Sequence, residues 1–330
     1  MELAISNAPL GLTIFQFPST VLSTCSAGIA LSAIGLLPAK NDVAQARGLD
    51  KIVALSHLCF AIPLAVFGAE HFADARSIMQ GVPAFMPWHL FWTYFVGVAL
   101  LAASLSIATK TRVRWSGLLF GIMMFLFVAM IDLPGTLADP HKRISWVLLL
   151  RELSFGSGGW CLAALAMEGG RPPAQSRLVA VARVVIGIAA IFYGTQQFLH
   201  PTLAPGVPLA KPMAGWIPAR ALIGYLTGVI LLVGGVSILL ARKTRLAATY
   251  LGAWILVLVL LVYGPMLIAA FLDPSTAVRV EGINYFFDTL LFAGTILALA
   301  GASPSPEVQQ VVTPGAPSQA DPAHHNLIQE

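Results

Sequence analysis

Phe67-Gly68-Ala69-Glu70-His71-Phe72 and Tyr193-Gly194-Thr195-Gln196-Gln197-Phe198 are the two stretches whose comparison decides the fold. Each closes an apolar run, and the residues that follow correspond in the same order. Pro87, Tyr94 and Gly97 answer to Pro218, Tyr225 and Gly228. Lys110-Thr111-Arg112 answers to Lys243-Thr244-Arg245, Asp139-Pro140 to Asp273-Pro274, and Glu152 to Asp288. Ordered matches with small gaps, at an offset of roughly 130 residues, mark a duplicated unit. The first copy begins near Val53 and ends near Ala166; the second begins near Val179 and ends near Ala300.

Composition says where such units live. The 330-residue chain is 57% hydrophobic and 10% charged, far from the roughly 25% charged residues of soluble domains. Its apolar residues fall in blocks long enough to cross the hydrocarbon core as helices. These blocks are 50–70, 89–108, 114–133, 145–167, 177–198, 218–241, 246–271 and 282–301, with a weaker one at 11–37. The expectation is an all-α polytopic membrane protein with two parallel four-helix bundles and one N-terminal helix. Its divisions are 1–49 (helix and connector), 50–167 (first repeat), 168–176 (linker), 177–301 (second repeat) and 302–330 (disordered tail). The 11–37 stretch lacks the basic n-region of a secretory signal, since Glu2 is the only charge before Lys40. It reads as an uncleaved span, with 38–49 a polar connector. The tail is rich in Pro, Ala, Ser and Gln without apolar periodicity.

The net charge of +4 is no nucleic-acid signature, because the cations sit in short loops between spans and there set orientation. Lys110, Arg112 and Arg114 fill one loop, Arg242, Lys243 and Arg245 another, and Arg171 and Arg177 flank the repeat junction. With these loops in the cytoplasm of a bacterial inner-membrane protein, 71–88, 134–144, 199–217 and 272–281 lie outside. The N-terminus is then outside and the C-terminus cytoplasmic. Four spans per repeat give both copies the same polarity, related by an axis along the membrane normal. Cys25, Cys59 and Cys161 include no C-x-x-C pair, so dithiol chemistry carried by this chain alone is not expected.

Ionisable groups inside spans cost roughly 2.5–3.5 kcal/mol each at mid-membrane, so they face protein and find partners. Here the candidates are Glu70, His71, His89, Asp132, Arg151 and Glu152 in the first copy. Their counterparts are Gln196, Gln197, Arg220 and Asp288 in the second. The repeat alignment predicts a base at the start of each second helix meeting an acid in the fourth, His89 with Glu152 and Arg220 with Asp288. These pairs either clamp the bundles or line an outward-facing polar pocket in each. The first copy is richer in groups that exchange protons near neutral pH, so an active pocket is expected there. Adjacent helix positions diverge by about 100°, so Arg151 is expected to leave Glu152 and find Asp132 or Glu70. Bis-imidazole haem ligation needs two histidines at one depth on facing helices; His57 has no match at its level, and His71 and His89 could share a depth but flank the outer interface, so haem is not expected. Glu70, His71, His89 and His141 suit zinc or copper chemically but follow no ligand spacing, and no metal is assigned. The run Phe155-Gly156-Ser157-Gly158-Gly159 allows close helix approach. Trp88, Phe91, Trp92, Tyr94 and Trp216 fit an interfacial belt or the wall of a flat-ring site.

A helix ending in a Gly-x-x-(His/Gln)-Phe corner, then a glycine-bearing helix and a Thr-Arg turn, resembles the DoxX-like membrane proteins. Gly68, His71-Phe72, Gly97 and Lys110-Thr111-Arg112 carry the resemblance, echoed by Gly194, Gln197-Phe198, Gly228 and Lys243-Thr244-Arg245. It covers both repeats, about 240 residues. The family takes its name from a subunit of a thiosulfate:quinone oxidoreductase. The resemblance therefore implies an inner-membrane, quinone-linked redox process served beside a membrane or extracytoplasmic redox partner, with quinone the only cofactor it admits. Two departures stand out: the tandem fusion, and Tyr94 near Gly97 where the family commonly carries an acid. The alternatives are a small-solute transporter or exporter with a site between the bundles, and a structural subunit of a membrane complex.

Overall fold

The computed structural model describes residues 18–167, 173–206 and 210–304, with the side chains of 173 and 174 excepted. Among these residues the chain is helical throughout its regular structure, with one isolated bridge between Leu203 and Pro212. The helices are α1 (Ser19–Gln45), α2 (Asp50–Ala54), α3 (Ser56–Ala73), α4 (Ala75–Ile78), α5 (His89–Ala108) and α6 (Val113–Phe127). After a π-helical turn, Val128–Asp132, come α7 (Leu133–Ala138), α8 (Arg143–Leu165), α9 (Pro173–Leu199), α10 (Arg220–Leu239) and α11 (Thr244–Leu258). A second π-helical turn, Val259–Tyr263, leads to α12 (Gly264–Leu272) and α13 (Thr276–Ala302).

Eight helical stretches are long and apolar enough to cross a membrane: α1, α2–α3, α5, α6–α7, α9, α10, α11–α12 and α13. The chain is a multi-pass membrane protein. The 23-residue α8 is outside that set, because it carries Arg151 and Glu152. It is nonetheless held in the middle of the molecule, packed on α6, α9 and α13. Its length of about 34 Å matches a span, and protein rather than lipid surrounds its polar residues.

Packing is organised around α3, α8, α9 and α13. Helix α3 packs on α5 and α13, α9 packs on α10 and α8, and α8 meets α13 directly. With α3, α5, α6–α7 and α8 taken as a first quartet and α9, α10, α11–α12 and α13 as a second, the two pack on each other rather than as separate bundles. The first helix of each quartet lies against the fourth helix of the other, and α3 stands apart from α8 with a cavity between them. Close helix approach depends on glycine where backbone meets backbone. A Cβ on Gly68 would sit 3.1 Å from the Gly97 carbonyl oxygen, and one on Gly194 would sit 3.0 Å from that of Gly228. At the centre, a Cβ on Gly294 would come 2.7 Å from Phe60 N and one on Gly158 2.5 Å from Thr295 Oγ1. A buried bond from Tyr193 Oη to the Val147 carbonyl, 2.7 Å, ties α9 to α8.

Several segments differ from the sequence expectations. Helix α1 continues through Pro38 to Gln45, so most of 38–49 is helix rather than connector. Proline lacks an N–H and disturbs only the turn before it, after which Ala39 is buried and the helix resumes. Part of the expected loop 134–144 is α7, entered through Pro134 in the first helical turn, a position where the missing N–H has no partner to lose. Left-handed backbone occurs at Trp88, Lys110 and Arg112, and again at Ala219, Ala241 and Lys243, 131 residues on in each case (219 less 88, 241 less 110, 243 less 112). In that register Arg112 and Lys243 occupy like positions, so the two Lys-Thr-Arg strings are out of step by two residues. The turn conformation is a backbone property that lysine, arginine and alanine all adopt here. The expected tail from 305 onward, and Glu168–Pro172 of the linker, lie outside the described residues, as does the start of the 11–37 span.

Candidate functional site

A cavity of about 340 Å³ occupies the space between α3 and α8. Its wall is mostly apolar, with Phe67, Phe120, Phe127 and Phe155 among the lining side chains. Its polar groups come from three helices: Glu70 and His71 at the end of α3, Arg151 and Glu152 in α8, and Asn284 and Asp288 in α13. Four of the six first-copy candidates therefore meet here, joined by Asp288 from the second copy. His89 and Asp132 do not line it. His89 opens α5, where its carbonyl accepts from Thr93 Oγ1 at 3.0 Å, and Asp132 ends the first π-helical turn.

The ion pairs are not the expected ones. Arg151 Nη1 donates to Asp288 Oδ2 at 2.8 Å, while Nη2 and Nε donate to Glu152 Oε1 at 2.8 and 3.2 Å. Arg151 thus keeps its neighbour Glu152, and Asp288 crosses from the other quartet to complete the fork. Adjacent Cα–Cβ directions diverge on a helix, but the long stem of arginine lets its guanidinium fold back to the next side chain. His89 makes no ion pair with Glu152, and Arg220 reaches the Met213 carbonyl at 3.4 Å instead of Asp288. The reason is topological: α13 turns its acid towards α8 and away from α10.

Glu70 Oε1 accepts from Asn284 Nδ2 at 3.1 Å, a second link between α3 and α13. Asn284 Oδ1 is buried without a partner. His71 Nδ1 is 2.7 Å from the Phe67 carbonyl. A carbonyl only accepts, so Nδ1 carries the proton, and Nε2 of the neutral ring is free to accept a hydrogen bond or a second proton. Three carboxylates (Glu70, Glu152, Asp288) face one guanidinium in a mostly apolar chamber. Such an excess is relieved by bound protons or by a ligand that donates hydrogen bonds.

Two further cavities adjoin this one. An apolar chamber of about 330 Å³ lies between α5 and α6 and shares His71, Ile78, Val96 and Phe127 with it. Trp92 lines that chamber with a buried, unpartnered Nε1–H, whereas Trp88, Phe91 and Tyr94 are exposed on the surface. An open vestibule of about 650 Å³ lies at the end of the bundle where α13 begins, and shares Arg151, Asn284 and Asp288.

The corresponding region of the second quartet is built differently. Gln197 is fully buried, and its amide nitrogen donates to the carbonyls of Leu203 at 3.1 Å and His200 at 3.4 Å. Tyr263, in the place of Asp132 in the 131-residue register, donates to the Pro205 carbonyl at 2.9 Å. The loop after α9 is thereby drawn inwards. Gln196 Oε1 is buried without a partner.

Among the described residues no three His, Cys, Asp or Glu side chains come together as metal ligands, and Cys25, Cys59 and Cys161 are free thiols. The chain matches no protein-family model, and no curated protein or solved structure shows significant similarity to it.

Proposed function

We propose that this is a DoxX-like tandem-repeat protein of a bacterial inner membrane, in which the first quartet binds a membrane quinone for a redox partner. The observation that carries the reading is the pairing of a charged cavity with an apolar one across a shared wall at His71. An amphiphile with a polar ring and an apolar tail needs both compartments side by side. The ring oxygens would accept from groups such as Trp92 Nε1–H, while Glu70, Glu152 and His71 hold protons where a reduced ring takes them up or releases them. The chain supplies no electron carrier of its own in this reading, so electrons come from a membrane or extracytoplasmic partner. The repeat interpretation is supported by the recurrence of left-handed turns and π-helical turns at one spacing, and by the reciprocal packing of α3 on α13 and α9 on α8. The loop plugging the second quartet favours a single working site. The N-out, C-in orientation rests on the basic loops.

Binding of a short-chain quinone to the full-length protein in lipid nanodiscs tests this. Trp92→Phe and His71→Ala should each weaken binding at least several-fold. Undetectable quinone binding, with Glu152→Gln fully functional in cells, would discard it.

A second reading, transport of a small solute, draws on the vestibule that ends at Arg151, Asn284 and Asp288. Flux in proteoliposomes that disappears in Asp288→Asn, without quinone binding, would favour it.

A further inference from the structure

We propose that the cavity at the opposite end of the molecule holds the headgroup of an anionic phospholipid. This cavity, about 590 Å³, lies between the start of α9, the α10–α11 turn and the end of α13. Three cations border it: Arg183, Lys243 and Arg245. Among the described residues the one carboxylate bonded to any of them is Asp50, 2.8 Å from Arg245 Nη2.

The arginines are already oriented. Arg183 Nη1 donates to the carbonyls of Ile238 and Leu239 at 2.9 and 2.5 Å, and Arg245 Nη1 to that of Ala300 at 3.4 Å. These bonds anchor each guanidinium to the last turn of a neighbouring helix, where cations are favoured. Among the described residues only Nη1 of Arg183 makes a hydrogen bond, and its Nε and Nη2 form the planar donor set that suits phosphate oxygens. Lys243, in a left-handed conformation at φ 50°, is exposed and makes no ion pair among the described residues.

The first quartet shows what this site is not. In its corresponding turn Lys110 pairs with Asp42 of α1, so a helix neutralises that turn. Among the described residues no helix plays this part for Lys243, and Asp50 of α2 holds Arg245 instead.

The source of the phosphate is argued from the surroundings. Val179, Ala180, Ala241 and Leu246 give the wall an apolar part alongside polar Gln175, Ser176, Thr244 and Ser303, and Leu246 is 48% exposed. A mouth edged by apolar residues at the end of membrane-spanning helices suits glycerol and the first methylenes of an acyl chain. A free phosphate would leave those residues idle, and basic pockets between helix ends are known headgroup sites.

Native mass spectrometry of the full-length protein, extracted in mild detergent and offered phosphatidylglycerol or phosphatidylcholine, tests the proposal. Phosphatidylglycerol should be retained as one molecule per chain and phosphatidylcholine should not. Lys243→Gln should weaken retention about fivefold, the worth of one basic side chain beside an anionic surface, and Lys243→Glu should abolish it. Lys243 is exposed, so both variants should keep the wild-type unfolding temperature. Equal retention of the two lipids, or unchanged retention in Lys243→Glu, would overturn the proposal. So would displacement of the lipid by inorganic phosphate that then binds alone, which would mark a soluble-anion site.

Discussion

Arg151 Nη1 lies 2.8 Å from Asp288 Oδ2, joining α8 of the first quartet to α13 of the second. The same guanidinium holds Glu152, and Arg151 and Asp288, with Asn284, line both the inner cavity and the vestibule. Structure and access therefore meet at one side chain. Removing it leaves two largely buried carboxylates without a cation.

Arg151→Met should destabilise the protein by about 3–5 kcal/mol, the usual cost of stripping the partner from a buried charge. Asp288→Asn should cost less, because Arg151 retains Glu152. Thermal unfolding in detergent reads both. An unchanged midpoint for Arg151→Met would mean that water, not protein, solvates the acids.

Tyr193→Phe removes the hydroxyl that bridges α9 to the Val147 carbonyl while keeping the ring packed on Phe292, 5.7 Å between centroids. A loss of about 0.5–1.5 kcal/mol follows if the bond matters as buried hydrogen bonds generally do. Chemical or thermal denaturation measures it, and stability equal to the wild type would refute it.

Gly294→Ala places a methyl 2.7 Å from Phe60 N. Overpacking of this kind costs about 1–3 kcal/mol. Gly135→Ala is the control, since a Cβ there meets nothing within 4 Å. The two should separate clearly in unfolding temperature. Equal behaviour would show that the α3–α13 contact yields without strain.

The orientation proposed from the basic loops is read by cysteine labelling. His141→Cys, in an exposed loop, should react with an impermeant maleimide on intact cells. Arg242→Cys should react only after permeabilisation. The reverse pattern would invert the topology and place the vestibule on the cytoplasmic side.

The spans were legible because apolar length is a local property. His89–Ala108 falls where the composition put it, and most others differ by a few residues at their ends. The π-helical turns were not, since nothing in Val128–Asp132 or Val259–Tyr263 marks an extra residue per turn. Among the candidates, Glu70, His71, Arg151 and Glu152, which line one cavity, were legible because charge inside a span stands out. Their partners were not, because the alignment paired each acid within its own quartet. Which helix α13 faces is decided by glycine contacts across the seam, which span-by-span reading does not weigh. Asn284 escaped notice for a plainer reason: a neutral amide near a helix end carries little signal. Its 3.1 Å bond to Glu70 is visible only once α3 and α13 are side by side.

Gly158 and Gly294 have a mechanical corollary. With Thr295 and Phe60 seated against them, the inner surfaces interlock like gear teeth, and neither half can tilt without driving side chain into main chain. Rocking of one quartet on the other would have to part this close seat. The groups that could open the cavity without parting this seat are local ones, Ile78 at the α4 corner and the side chain of Arg151.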